Sequence, residues 1–166
     1  MSKLQVSQEA TMVLEELHGL LITVGIDNAS TLKLNRNEPN SGIMPVVLEV
    51  MAFWNDDRSK GHVGARRKVI SVAHYYEQNG DLCADPLMEF LREEGNGQVV
   101  YYATRYKVDG SILAIDRDSI LLNQDTGIPE KYSKKAAYQD KVFATQWMRN
   151  IAWQQDLKCK SKVKVA

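Results

Sequence analysis

One histidine and two carboxylates lie close together in the stretch HYYEQNGDLCADP, which runs from His74 to Pro86. Imidazole nitrogens suit transition metals, and carboxylate oxygens suit hard cations. If the chain curls so that His74, Asp81 and Asp85 converge, they could hold a divalent ion that activates water. Glu49 is a further candidate ligand on a neighbouring strand. A metal-dependent hydrolase or nuclease is therefore one functional hypothesis.

The same stretch is also typical of a tight hairpin. Asn79-Gly80 between extended segments is a strong hairpin signal, because both residues tolerate the positive φ that a type I′ turn requires. Asp81 and Asp85 can then accept hydrogen bonds from turn amides, and His74 can bond a backbone carbonyl or a tyrosine hydroxyl. We favour this structural interpretation, so no catalytic residue, metal ligand or cofactor is assigned. The candidate hairpin site consists of His74, Tyr76, Asn79, Gly80, Asp81 and Asp85.

Stronger catalytic signatures do not occur in the sequence. It contains no Gly-x-Ser-x-Gly elbow, no phosphate-cradling glycine loop with a lysine and no His-Glu-x-x-His pair. Cys83 and Cys159 lie far apart and have no Cys or His at metal-clip spacing, which argues against a zinc knuckle or a disulfide framework. These observations favour a role without catalysis.

The charge balance excludes a general attraction to polyanions. The 21 basic residues match 21 acidic residues, so binding to nucleic acid or anionic lipid would need a local basic patch. The first residues have acidic and polar breaks where a signal peptide needs an uninterrupted apolar core. No apolar run approaches the roughly 18 to 20 residues that span a bilayer. We therefore expect a cytoplasmic protein with no membrane partner.

The most basic stretch before the C-terminal lysines is NDDRSKGHVGARRK, residues 55–68. It could contact phosphates or acidic protein surfaces, and a solvated loop is the alternative interpretation. Tyrosine and arginine are the residue types that most often anchor protein interfaces. The predicted partner-binding residues are therefore four from this loop and three tyrosines that we place at a strand edge: Arg58, Lys60, Arg66, Arg67, Tyr101, Tyr102 and Tyr106.

Hydrophobic periodicity predicts two long helices. Ser7 is a candidate N-cap for an amphipathic helix over residues 8–24, in which His18 is interpreted as a surface or boundary residue. Residues 26–42 are predicted to form a connector with a short strand at TLKL, and IMPVVLEVMAFW a strand covered on both faces. A second helix is predicted after Ser133, with an apolar face of Val142, Phe143, Trp147 and Ile151.

Turn signals at Asn79-Gly80, GNGQ and Asp109-Gly110 divide the middle of the chain into four extended arms, the last being SILAIDRDSILL. The sequence therefore predicts an α+β fold, an antiparallel β-meander of about four or five strands with two long helices packed on one face. Residues 1–157 are predicted to form a single domain and residues 158–166 a basic flexible tail. The expected helix contribution to the core is Val13, Leu17, Leu21, Phe143, Trp147 and Ile151.

Three blocks of the sequence resemble a small uncharacterised domain family of bacterial phages, plasmids and other mobile elements. The blocks are MPVVLEV, ISVAHYYEQNGDLCADPLMEF and FATQWMRNIAWQQ, and the family core is His-Tyr-Tyr-x-x-Asn-Gly-Asp-x-x-x-Asp-Pro. The resemblance does not extend to the N-terminal helix or the basic loop. The matching positions are His74, Tyr75, Tyr76, Asn79, Gly80, Asp81, Asp85 and Pro86, and more loosely Trp147 and Asn150.

The resemblance implies a setting and not a mechanism. Small proteins of mobile elements often act by binding a host defence nuclease, a replication factor or DNA. The leading hypothesis is a non-enzymatic protein-binding module encoded by a phage or mobile element, such as an anti-CRISPR-like inhibitor of a host defence nuclease complex. The alternatives are the metal-dependent hydrolase or nuclease described above and a nucleic-acid-binding accessory protein.

Overall fold

The computed structural model describes residues 1–24, 31–36, 39–55, 66–110 and 112–165. Within these residues the two long helices are α1 (Gln8–Val24) and α2 (Lys134–Gln154). The strands are β1 (Thr31–Leu34), β2 (Val46–Asn55), β3 (Arg66–Gln78), β4 (Asp81–Gly95), β5 (Gln98–Val108), β6 (Ile115–Asp118), β7 (Ile120–Leu122) and β8 (Pro129–Tyr132). Short 3-10 helices lie at Ser2–Leu4 and at Lys158–Lys162, the latter named the C-terminal turn below.

The α+β prediction is confirmed. Strands β1 to β6 form an antiparallel sheet in chain order, so the meander has six strands where about four or five were predicted. Strands β7 and β8 pair separately. The arm predicted over SILAIDRDSILL is therefore divided at Ser119, whose hydroxyl lies 3.2 Å from each of the Ala103 and Thr104 carbonyl oxygens, to which it can donate. This anchoring ends β6 and redirects the chain into the second sheet.

The long strands are joined by the turns that the sequence predicts. Asn79 and Gly80 have φ of 53° and 84°, and Asn96 and Gly97 have φ of 52° and 73°. Positive φ at both central residues is the requirement of a type I′ hairpin turn, which suits the right-handed twist of the flanking strands. The local chemistry of Asn-Gly thus sets the register of β3, β4 and β5.

Both long helices contribute to one core on the same face of the large sheet, as predicted. Ser7 caps α1 by accepting a hydrogen bond from the Ala10 N–H at 3.1 Å. Phe143 is only partly buried, and Val142, predicted to lie on the apolar face of α2, is 52% exposed because it lies about 100° around the helix from Phe143. The buried helix residues that the sequence predicts correctly are Val13, Leu17, Leu21, Trp147 and Ile151.

The other face of the sheet is covered at one end by a smaller cluster that includes Leu91 and Tyr102 from the sheet and Ile120 from β7. Strand β2 was predicted to be covered on both faces, but it is buried mainly at its beginning. Met51 and Phe53, towards its end, are 51% and 52% exposed. Ala52 and Trp54, in the same part of β2, pack against the smaller cluster, so the end of the strand is covered on one face only.

The segment predicted as a flexible tail packs against α1 over its first residues. The Glu16 carboxylate accepts hydrogen bonds from the backbone N–H groups of Lys158 at 2.7 Å and Cys159 at 2.9 Å. Val163 is buried. The expectation of a free tail from residue 158 therefore does not describe residues 158–163. Among the helices of the described chain, none is long and apolar enough to cross a membrane.

Candidate functional site

The candidate metal ligands of the hairpin do not meet. His74 is 6% exposed, with Nδ1 3.0 Å from the Pro45 carbonyl oxygen and its ring edge-to-face with Trp147 at 5.5 Å. Asp81 and Asp85 are exposed on β4. In the part of the chain that the structure describes, no group of three or more His, Cys, Asp and Glu side chains could hold a metal ion.

The remaining hairpin residues hold the scaffold together. Asn79 and Gly80 form the turn, and the Tyr76 hydroxyl donates to the Asp109 carbonyl oxygen at 3.4 Å. Glu49, the further candidate ligand, accepts a hydrogen bond from the Thr31 hydroxyl at 3.3 Å. The interpretation of His74 as a residue bonded to a backbone carbonyl is confirmed.

The three tyrosines predicted to bind a partner are buried or half-buried. Tyr101 and Tyr102 are 0% and 6% exposed, because Tyr101 lies in the main core and Tyr102 in the smaller cluster on the other face of the sheet. The N-terminal segment covers this edge of β5, where the Val6 N–H donates to the Tyr101 carbonyl oxygen at 2.9 Å. Tyr106 is half-buried with its ring 5.3 Å from that of Phe143. The side chains of Tyr101 and Tyr102 are therefore not exposed for contact with a partner in this structure.

The basic residues of the predicted interface divide into three groups. Arg58 and Lys60 lie outside the described residues. Arg67 is buried and forms an ion pair with Glu93 at 2.9 Å. Arg66 is exposed at the start of β3, on the sheet face that carries the helices. It leads into a charged cleft that is the best candidate for a functional site.

This ionic cleft, of about 470 Å³, opens where α1 passes over the ends of β2, β3 and β4. Alternation along β3 places Arg66 and Lys68 on the same face as the buried Ile70. The register then puts Phe53, Lys68, Arg92 and Tyr101 in one row across four strands. The cleft is lined by Glu15, His18, Gly19, Ile22, Phe53, Arg66, Lys68, Arg92 and Glu94.

Glu15 organises the floor of the ionic cleft. Its carboxylate accepts hydrogen bonds from Arg92 Nε at 2.7 Å, Arg92 Nη2 at 3.1 Å and the Tyr101 hydroxyl at 2.6 Å. Burial raises the pKa of Glu15, but these hydrogen bonds outweigh it and hold the pKa below its ordinary value. Arg92 Nη1 also donates to Glu94 at 2.9 Å. Arg92 therefore engages both carboxylates of the cleft.

A histidine and a lysine form the wall of the ionic cleft. His18 Nε2 lies 3.0 Å from Lys68 Nζ. Burial, and then the positive charges of Lys68 and Arg92, lower the pKa of His18 to about 4, so the imidazole is neutral near pH 7. An ammonium group only donates, so Nε2 is the acceptor nitrogen. Lys68 Nζ also lies 5.7 Å from the centroid of the Phe53 ring.

The electrostatics of the ionic cleft favour a negatively charged ligand. Burial, and then Arg92, lower the pKa of Lys68, so its charge is incompletely solvated and incompletely offset. Between Lys68 Nζ and the carboxylates of the described residues there is no ion pair within 4 Å. Ile22 and Phe53, which are 54% and 52% exposed, supply an apolar rim. The arrangement is suited to binding, with an anion inside and apolar groups at the edge.

Sequence reasoning did not assign this site. It placed His18 at the surface or a boundary, whereas the residue is 7% exposed and hydrogen-bonded to Lys68. Glu15, His18 and Ile22 follow the i, i+3, i+7 spacing of a single helix stripe, next to the apolar one. A polar stripe with one apolar member, together with the alternating Arg66 and Lys68, was the available signal.

Comparison with known proteins gives a family and nothing closer. A family model described as a domain of unknown function (DUF6908) matches residues 15–157. The match includes every residue that lines the ionic cleft. No curated protein and no solved structure matches the chain.

Proposed function

The chain belongs to the DUF6908 family of domains of unknown function, and we propose that this domain is a non-enzymatic protein-binding module that receives its partner at the ionic cleft. The partner would place an acidic group beside Lys68 and Arg66 and an apolar side chain against the rim. We include in the proposal a phage or mobile-element origin and a host defence nuclease complex as the partner. These two elements are supported by the sequence resemblance alone.

The observation that carries the proposal is the combination of charge and apolar exposure at one place. Ile22 and Phe53 are both more than half exposed, and they line the same cleft as Lys68, which forms no ion pair within 4 Å with a carboxylate of the described residues. Interface centres are enriched in aromatic residues and arginine, and they pair with complementary charge on the partner. A partner segment with an acidic residue next to an apolar one fits this surface.

A comparison of surface variants tests the proposal. The double variant Ile22→Ser and Phe53→Ser removes the apolar rim, and Leu82→Ser, at a leucine that is 69% exposed beside the Asn79-Gly80 turn, is the matched control. The substituted side chains are at least half exposed, so each substitution should change the free energy of unfolding by no more than about 0.5 kcal/mol. Each immobilised protein would capture partners from a bacterial host lysate for mass spectrometry, and the candidate would then be purified and titrated.

We expect one stoichiometric partner with the unmodified protein and with Leu82→Ser, and its loss with the rim variant. In titrations with the purified partner, the unmodified protein and Leu82→Ser should bind with similar affinity, and the rim variant should bind more weakly. Failure to recover any stoichiometric partner under gentle conditions contradicts the proposal. So does a partner that the rim variant retains with unchanged affinity.

A further inference from the structure

Lys68 lines the ionic cleft but forms no ion pair within 4 Å with a carboxylate of the described residues. Its Nζ lies 3.0 Å from a neutral imidazole nitrogen, which accepts a hydrogen bond but carries no negative charge. Burying a cation without an anionic partner costs free energy. A bound anion would therefore stabilise the charged Lys68 side chain.

The carboxylates of the ionic cleft are already committed to another cation. Arg92 holds Glu15 through two hydrogen bonds and Glu94 through a third. Glu94 and Glu15 also attract Lys68, but each raises its pKa by less than burial or the positive charge of Arg92 lowers it, so the pKa of Lys68 stays below its ordinary value. Arg66, at the mouth, adds a planar set of donors that matches carboxylate and phosphate groups.

We propose that the ionic cleft binds an oxyanion, a carboxylate or a phosphate group, between the Lys68 ammonium and the Arg66 guanidinium. His18 acts as a positioning residue, because its Nε2 fixes the direction of the ammonium group. The inference rests on the proposed function, in that the anion inside the cleft would be the acidic group of the partner. It also stands without a protein partner, since a free anion can occupy the same place.

The test uses the purified full chain and two probes, inorganic phosphate and glutarate, titrated by calorimetry in low-salt buffer. Lys68→Met removes the ammonium but keeps an apolar stem, and Arg66→Gln removes the guanidinium. Lys33→Met, at an exposed lysine on β1, is the control for a general loss of positive charge. Circular dichroism and thermal unfolding verify that each variant folds.

The expected result is saturable binding of at least one probe with one site per chain. Lys68→Met and Arg66→Gln should each weaken it tenfold or more, and Lys33→Met should leave it unchanged. Preference for phosphate identifies a phosphorylated ligand as the source of the anion, and preference for glutarate identifies an acidic side chain or a small dicarboxylate. Either preference supports the site.

Three results overturn the inference: no saturable binding of either probe, unchanged affinity in a folded Lys68→Met variant, or equal weakening by Lys33→Met. The two proposals fail separately. If the anions bind at Lys68 but no partner protein is captured, the protein-binding function fails and the oxyanion site stands. If a partner is captured through the rim but neither probe binds, or a folded Lys68→Met variant binds the probes with unchanged affinity, the oxyanion site fails and the protein-binding function stands.

Discussion

Acidification from about pH 7.5 to 5 should destabilise the fold through His18. The pKa of this imidazole is lowered from 6.5 to about 4 in the folded protein, first by burial and then by the positive charges of Lys68 and Arg92. Between these two values the unfolded chain binds a proton that the folded chain does not. The stability that His18 contributes is therefore complete above 6.5 and is lost as the pH falls towards 4.

The size of the effect follows from the two pKa values. The difference between the two pKa values corresponds to about 3 kcal/mol of unfolding free energy, of which about 2 kcal/mol is lost between pH 7.5 and 5. For a chain of this length, that loss lowers the melting temperature by about 4 to 8 °C. The ordinary pKa of a glutamate is 4.5, and those of Glu9, Glu15 and Glu16 are lower in the fold, so their contributions are lost mainly below this window.

Urea unfolding at a series of pH values measures the effect directly. His18→Gln keeps an acceptor for Lys68 but does not titrate, so it serves as the reference protein. The free energy of unfolding should fall by about 2 kcal/mol more for the unmodified protein than for His18→Gln across the window. Parallel pH profiles for the two proteins would refute the assignment of a buried, neutral His18.

Further predictions concern the hydrogen bonds of Glu15 in the ionic cleft and the contact of Gly127 with Trp54. Glu15→Ala should lower the free energy of unfolding by about 2 kcal/mol, because it leaves the buried Arg92 guanidinium and Tyr101 hydroxyl without their shared acceptor. Tyr101→Phe should lower the free energy of unfolding by about 1 kcal/mol on its own, and by much less in the Glu15→Ala background. A double-mutant cycle in urea measures both values, and additive losses would contradict the hydrogen bond between Tyr101 and Glu15. Gly127→Ala should destabilise by more than about 2 kcal/mol, because φ is +69° and the added Cβ would lie 2.3 Å from Trp54 Cε3. Gly42→Ala, at φ +74° with nothing within 4 Å, is its control and should cost about 1 kcal/mol in thermal unfolding, so equal losses would show that the contact with Trp54 is unimportant.

The parts of the fold that depend on local chemistry were predictable from the sequence. Asn79-Gly80 forces a hairpin because few other residue pairs adopt positive φ at both positions. The apolar spacing of α1 identified Val13, Leu17 and Leu21 as core residues. In each case the information lies within one turn or one helix, so no knowledge of distant contacts was needed.

The parts that depend on distant contacts were not predictable. His18 and Lys68 are 50 residues apart, and Glu15 and Arg92 are 77 apart, so nothing in either neighbourhood indicates the pair. Tyr101 was predicted to lie at a strand edge, but its side chain is buried in the main core, and the edge of β5 beside it is covered by Val6, 95 residues away in the chain. The candidate site follows from strand register across the sheet, which a single sequence does not display.

The packing of α1 also determines when the protein can finish folding. Its apolar face meets Ala144 and Met148 of α2, and Glu16 holds the backbone of the C-terminal turn. A ribosome makes α1 long before it makes these neighbours, so the helix leaves the exit tunnel with its apolar stripe uncovered. The docking of α1 cannot be completed until α2 and the C-terminal turn have been made, and contacts of such long sequence separation slow folding.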